Sequence, residues 1–358
     1  MNFKIQASPH IRTTNASVDK MMLSVLIALI PVVFMSIVQF KVEFVIALLL
    51  SIITVCGVEF IANKIMKKEQ TLKDYSALVT AVIFALTIPA GIFSAEIHGT
   101  VLKGYLTGGV LIIASGTFAI LIGKLFFGGL GRNIFNPAGV GRIFMLVSFG
   151  AVLSYFANET QYLSTATPLG IMKSSIEAGD YSSIMSVVDN YSMSDMFIGR
   201  EAGSFGEVSA LAIIISGIFM VTFKVADWRK IVSCLGTFTV LALVYALRLN
   251  LPLDFVLVQL FTGSILFGAM FMVTDPVTAP ITAPGRVFYA MAIGGLTFVI
   301  RVFGAYPEGM LFAILIMNMF THSIDYHRWL STKFTRGWII TILVTLAIFI
   351  AIVLIGTM

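Results

Sequence analysis

Phe261-Thr-Gly-Ser-Ile-Leu-Phe-Gly-Ala-Met-Phe-Met-Val-Thr-Asp-Pro276 is apolar enough to be a membrane helix, yet it carries Gly263 near its start and closes on Thr-Asp-Pro. Earlier in the chain, Leu78-Val-Thr-Ala-Val-Ile-Phe-Ala-Leu-Thr-Ile-Pro89 follows the same plan and also ends on Thr-x-Pro. Proline lacks the N–H that would continue a helix, so each stretch reads as a helix that stops abruptly. A second break follows in each half: Gly131-Arg-Asn-Ile-Phe-Asn-Pro-Ala-Gly139 and Gly304-Ala-Tyr-Pro-Glu-Gly309, each opening another apolar run. Backbone breaks at membrane depth are tolerated only where protein or a cavity satisfies the freed groups. Paired breaks in two halves point to inverted repeats with a site between them near the bilayer midplane. The plainer reading is that proline and glycine merely kink membrane helices.

Composition supports the membrane setting. Apolar residues make up 58% of the chain and charged ones only 11%, against roughly 25% charged in a soluble domain. Eleven apolar segments, near 21–39, 43–62, 75–93, 104–123, 138–157, 206–223, 231–249, 253–273, 287–303, 307–321 and 337–357, are candidate spans of a hydrocarbon core about 30 Å thick. The fold class expected is therefore an all-α polytopic membrane protein with about 10–11 transmembrane helices. Its parts would be a lead-in and first five-helix repeat (1–157), a polar loop (158–205), a second five-helix repeat (206–325), and a loop with one additional helix (326–358). The polar start, including Ser8-Pro9-His10-Ile11-Arg12, reads as a cytoplasmic lead-in rather than a signal peptide.

Lysine and arginine fix the expected orientation. With the N-terminus cytoplasmic, all but six of the 23 (Lys41, Lys103, Lys173, Arg200, Arg248 and Arg301) fall on the inner side. The loop 158–205 is then extracytoplasmic, and the net charge of +5 reflects topology rather than a nucleic-acid footprint. Cys56 and Cys234 lie far apart in apolar segments and read as small buried hydrophobes. His10, His98, His322 and His327 show no metal spacing.

Among polar residues, Asp275 stands out. A carboxylate in a membrane segment faces a cavity, a partner or a helix end, so it either caps the next turn or lines a ligand or ion path. Asn136 either offers an amide to a ligand or caps the helix it precedes. Arg301 reads as an outer-interface residue whose head snorkels to water. The long loop carries Gln161-Tyr-Leu-Ser-Thr-Ala-Thr-Pro-Leu-Gly170, in which Ser164, Thr165 and Thr167 offer hydroxyls and Ala166 keeps the turn small.

These residues together resemble the D subunit of the Rnf-type ion-translocating ferredoxin:NAD⁺ oxidoreductase, and more distantly the B subunit of the sodium-pumping NADH:quinone oxidoreductase. The resemblance runs through Ser8-Pro-His-Ile-Arg12, Asn133-Ile-Phe-Asn-Pro-Ala138, Ser164-Thr-Ala-Thr-Pro-Leu169, Thr274-Asp-Pro-Val-Thr-Ala-Pro280 and Tyr306-Pro-Glu-Gly309. It implies a fold like that of urea transporters and a translocase component, not catalytic alone, that passes electrons between ferredoxin and NAD coupled to Na⁺ or H⁺ movement across a prokaryotic cell membrane. It also implies an FMN held through its phosphate on Thr167, within a motif of Ser164, Thr165 and Ala166, by a flavin transferase that consumes FAD. Gln161 and Thr165 depart from the family's acid and glycine, and Thr165 adds a competing hydroxyl. A second, non-covalent flavin, riboflavin, is implied within the helical core, with the Asn136 and Asp275 breaks as the place to look. Partners implied are the other integral and peripheral subunits of the complex, the transferase and membrane lipid; no nucleic acid is expected. A plain solute channel of the same architecture is the competing reading.

Overall fold

The computed structural model describes residues 17–93, 100–153, 156–158, 161–165, 168–179, 184, 193–199, 203–207, 209–304, 306, 308–326 and 333–357. Each expected apolar segment contributes an α-helix, the state that satisfies backbone N–H and C=O groups where no water is present. In chain order the helices are α1 (Val18–Ile65), α2 (Ser76–Thr87), α3 (Val101–Leu125), α4 (Pro137–Leu153), α5 (Pro168–Ala178), α6 (Met193–Ile198), α7 (Ala210–Thr222), α8 (Trp228–Arg248), α9 (Asp254–Phe261), α10 (Ile265–Met272), α11 (Ala283–Phe303), α12 (Met310–Tyr326) and α13 (Arg336–Gly356). Side chains cap several starts: Ser17, Thr100, Ser209 and Thr335 accept from backbone N–H groups three residues on, and Asp227 from Arg229. The set of apolar helices makes this a multi-pass membrane protein.

Two expected spans, 21–39 and 43–62, run into one another as α1. Lys41 (φ 48°, ψ −121°) divides it into rods 18–40 and 42–65. At 1.5 Å per residue each rod alone is long enough for a bilayer. α2, α4 and α7 are shorter than the sequence suggests, whereas α12 extends past the expected end at 321. α2, α4, α7 and α12 fall below the length of a full crossing, while α9 and α10 meet at a 62° bend across a short break.

The breaks show how their freed carbonyls are satisfied. After α2, Ile88 turns extended and Pro89 pairs with Ser204 as an antiparallel bridge. Leu86 O accepts from Gly206 N (2.7 Å) and Ile88 O from Phe205 N (3.0 Å), while Thr87 O accepts from Arg142 Nε (2.7 Å). The segment 203–207 is thus threaded into the bundle. Phe205, fully buried, meets Phe40 edge-on (5.1 Å between centroids) and Phe44 (5.3 Å), and its carbonyl accepts from Ser36. In the second half, Lys230 Nζ donates to the carbonyls of Thr274 (2.9 Å) and Asp275 (3.3 Å). Each Thr-x-Pro stop is therefore held by one buried cation.

α13 lies outermost. Only Trp338, Phe349 and Val353 are buried along it, and the Phe349 ring packs where a Cβ on Gly295 of α11 would otherwise stand. Its remaining large apolar side chains are mostly exposed, as suits a helix facing lipid.

Candidate functional site: an inner cavity and the loop that precedes α5

The second Thr-x-Pro break, the first turns of α2 and the start of α4 converge on one cavity. About 720 Å³ of it is free of protein atoms, part of this open to the outside, and its lining includes Ser76, Thr80, Lys124, Asn133, Asn136 and Asp275 among apolar residues such as Met22, Val79, Ile83 and Phe271. The sequence places Asn136 and Asp275 well over a hundred residues apart; the fold brings them to the same wall.

The polar groups there are mostly committed. Lys124 sits in the π-helical turn Leu121–Leu125 at the end of α3. It is 2% exposed and donates to both oxygens of the fully buried Glu59 (2.8 and 2.9 Å) and to Ser76 Oγ (2.6 Å). Such a pair is retained only when each charge has its partner, because desolvating either alone costs several kcal/mol. Asn136 caps α4, its Oδ1 accepting from Gly139 N (3.3 Å). Asp275 caps its own turn: Oδ1 accepts from Val277 N (3.0 Å) and Oδ2 from Thr278 Oγ1 (3.0 Å). Asn133 differs. Its Nδ2 donates to Phe135 O (3.1 Å), yet its buried Oδ1 has no donor. A largely apolar cavity with one free buried acceptor and neighbouring amides suits a flat heteroaromatic ligand that offers an N–H at its edge.

The hydroxyl motif lies elsewhere. β1 (Phe156–Asn158) and β2 (Gln161–Thr165) form an antiparallel hairpin, with Thr165 opposite Phe156 and Ser164 opposite Ala157. Ala166 and Thr167 lie outside the described residues, and α5 begins at Pro168. Thr167 is thereby the residue immediately before a helix N-terminus, where backbone N–H groups and the helix dipole favour an anion. Proline at the first helical position loses nothing, since that N–H has no intrahelical partner.

Several contacts dock α5. Lys173 Nζ donates to Val302 O (2.9 Å), Gln259 Nε2 approaches Met172 Sδ (3.6 Å), and the Leu169 side chain covers Gly263. Gly263 has φ +72°, and a Cβ there would stand 2.6 Å from Leu169 Cδ1 and 3.1 Å from Arg301 Nη2. A side chain at this bend is excluded on both counts.

Arg301 does not snorkel. It is 3% exposed, with Nη1 donating to Gln259 O (2.6 Å) and Oε1 (3.2 Å), and its guanidinium carbon stands 5.0 Å from the Phe238 ring centroid. It turns inward because the bend at Gly263 exposes carbonyls that need a donor. The sequence also hides Glu59, Lys124, Arg142 and Lys230. Charge bias assigns the last three to inner-side loops, yet each is buried and bonded inside the bundle. An acid and a base inside neighbouring apolar helices is the available signal for Glu59 and Lys124. Among the described residues no cluster of metal-ligating side chains occurs.

Comparison with known proteins gives this architecture its family. Residues 4–330 match the model of the NQR2, RnfD, RnfE family. The chain belongs to that family. It is 32% identical over 330 residues to the D subunit of the proton-translocating ferredoxin:NAD(+) oxidoreductase complex of Clostridium ljungdahlii, covering 90% of this chain and 93% of that one. It is also 32% identical to the D subunit of the Na(+)-translocating ferredoxin:NAD(+) oxidoreductase complex of Acetobacterium woodii, covering 91% and 93%. The D subunit of the ion-translocating oxidoreductase complex of Actinobacillus succinogenes is 30% identical, covering 91% and 96%. Family members with proton and with sodium names are equally similar, so overall likeness does not choose the ion.

Proposed function

We propose that this chain is the flavin-bearing membrane subunit of an ion-translocating electron-transfer complex, working between ferredoxin and NAD in a prokaryotic cell membrane. The observation that carries it is near-full-length similarity to D subunits, joined to a Ser164-Thr-Ala-Thr167 motif set at a hairpin–helix junction. The N-terminus is cytoplasmic and the loop 158–205 extracytoplasmic, on the lysine and arginine bias. The two five-helix segments are inverted repeats, a reading supported by the paired Thr-x-Pro stops.

Thr167 is the FMN acceptor. Its hydroxyl oxygen bonds to the FMN phosphorus of FAD, the P–O–P bond breaks, AMP leaves, and the hydroxyl proton passes to the flavin transferase. Ser164 and Ala166 keep the approach small. A bound flavin supplies one- and two-electron transfer, bridging iron–sulfur centres and a hydride couple on partner subunits. This chain's residues hold and orient it. α5, which follows the motif, is pinned to α11 by Lys173 and to α9 by Met172. The inner cavity takes riboflavin, with Asn133 Oδ1 accepting an N–H and the Asn136 cap shaping the wall.

The test is in-gel ultraviolet fluorescence of the denatured chain produced with its transferase. Wild type should fluoresce and Thr167→Ala should be dark while still inserting. Fluorescence retained in Thr167→Ala contradicts the assignment.

A further inference from the structure

We infer that the carboxyls of Glu207 and Glu308 form a proton-binding site where two of the backbone breaks meet, with one exchangeable proton held between them. The inference goes beyond the flavin reading and does not depend on it. Each acid comes from a break. Glu207 ends the segment 203–207 that threads in at the end of α2, and Glu308 precedes α12 in Tyr306-Pro-Glu-Gly309. Their side chains lie within hydrogen-bonding reach of each other. Two carboxylates offer only acceptors and repel, so neither can serve the other; one proton between them supplies the donor and relieves the repulsion.

No other group takes that part. Glu207 is 5% exposed and its Oε2 has no hydrogen-bond partner. Ser204 Oγ, fully buried beside it, also has none. Arg142 on α4 and Arg301 on α11 are the cations whose charges act on both acids. Among the described residues neither arginine forms an ion pair with them. Arg142 Nε is committed to Thr87 O and Arg301 Nη1 to Gln259, while Arg142 Nη1 and Arg301 Nε and Nη2 meet no acceptor. The arginines therefore act through their field and leave the two carboxyls to each other.

That arrangement suits a proton that comes and goes. When it leaves, the guanidinium charges keep a second buried carboxylate tolerable. Glu308 is partly exposed and gives the proton a way in and out, whereas Glu207 is buried. A metal cation would face both guanidinium charges, while a proton needs only the two carboxyl oxygens. Occupancy of the site sets how firmly the segment 203–207 is tied to the start of α12.

The experiment is infrared spectroscopy of the full-length chain in lipid nanodiscs near neutral pH, as wild type, Glu207→Gln and Glu308→Gln. Each is produced with ordinary glutamate and with glutamate isotopically labelled at the side-chain carboxyl carbon. A protonated carboxyl has a carbonyl stretch apart from those of carboxylates and amides, and the label moves it only where the acid is glutamate. Wild type should show such a band, shifted in heavy water and unaffected when sodium replaces potassium in the buffer. Both glutamine variants should lose it. Glutamine matches protonated glutamic acid in shape and charge, and its amide donates to the remaining carboxylate, so no proton is needed. Glu308→Asp withdraws one carboxyl while keeping its charge, and the remaining glutamate band should move. An unmoved band there overturns the inference even if the glutamine variants do not fold. Absence of the glutamate band from wild type overturns it without any variant. So does a band retained in either glutamine variant, which places the proton on a single acid or elsewhere. A band that ignores heavy water shows no exchangeable proton, and one removed by sodium assigns the carboxyls to a metal cation; each contradicts the inference.

Discussion

Lys124 and Arg301 occupy corresponding places in the two halves: each lies near the C-terminal end of a long helix, and each reaches into the shorter helical segment before it. Lys124 finds a carboxylate, Glu59, and a hydroxyl, Ser76, so its three donor positions meet three oxygens. Among the described residues Arg301 hydrogen-bonds only to Gln259, its Nε and Nη2 left without an acceptor. The first is a finished structural joint. The second is a buried guanidinium whose Nε and Nη2 have no hydrogen-bond acceptor, with Glu308 and Glu207 the acids whose charges act on it.

Breaking the finished joint should have the largest effect. Glu59→Gln leaves Lys124 buried without its counter-charge and should cost about 3–5 kcal/mol of stability, read from unfolding in detergent. Replacing both residues by methionine should restore most of it; a double variant as unstable as Glu59→Gln would show that the pair is not the reason.

The same operation on the unfinished side should be milder. In flavin-free chain, Arg301→Met removes a charge that has no ion pair among the described residues and loses the Gln259 bonds and the contact with the Phe238 ring, so it should cost about 1–2 kcal/mol. A loss equal to that of Glu59→Gln would erase the contrast between the halves.

Asp275 lies between these cases, lining the cavity while capping its own turn. Asparagine keeps an acceptor for Val277 N–H, so Asp275→Asn should cost about 1 kcal/mol or less and leave ferredoxin-driven NAD⁺ reduction in vesicles within about twofold. A loss beyond tenfold in an assembled, flavinylated complex would place the charge itself in the ion or flavin path.

The smallest effect belongs to the partly exposed pair between the start of α8 and α11, where Arg286 Nη1 meets Asp227 Oδ2 at 2.8 Å. Burial pushes the Asp227 carboxyl up, but the Arg286 hydrogen bond, the Arg229 N–H and both arginine charges bring it below the usual range. A lowered carboxyl stabilises above its unfolded pKa, near 4, and the contribution is lost as pH falls through the folded value. Solvent limits it to under about 1 kcal/mol. Asp227→Asn should therefore lower the unfolding midpoint slightly at pH 6 and not at pH 2.5; an equal drop at both would assign the effect to packing.

The helices are legible in the sequence because a membrane demands them: every apolar run contributes a helix, and both Thr-x-Pro stops fall where helices end. Their lengths are not, since composition cannot show that α2 stops at Thr87 because Phe205 and Gly206 thread in from far along the chain. Asn136 and Asp275 are legible as helix caps, and the fold adds that both line the cavity. Glu59 and Lys124 escape because 65 residues separate them and loop counting absorbs a lysine near a helix end. Arg301 reads as interfacial for the same reason, while its burial depends on the bend at Gly263, a tertiary fact. For the hydroxyl motif, Ser164 and Thr165 lie on β2 and α5 follows, while Thr167 falls outside the described residues.

The most direct test is peptide-level mass spectrometry of the native chain isolated from its membrane. The peptide spanning β2 and the start of α5 should carry one FMN less one water, with fragment ions placing it on Thr167. An unmodified peptide, or flavin on Thr165, would contradict the account.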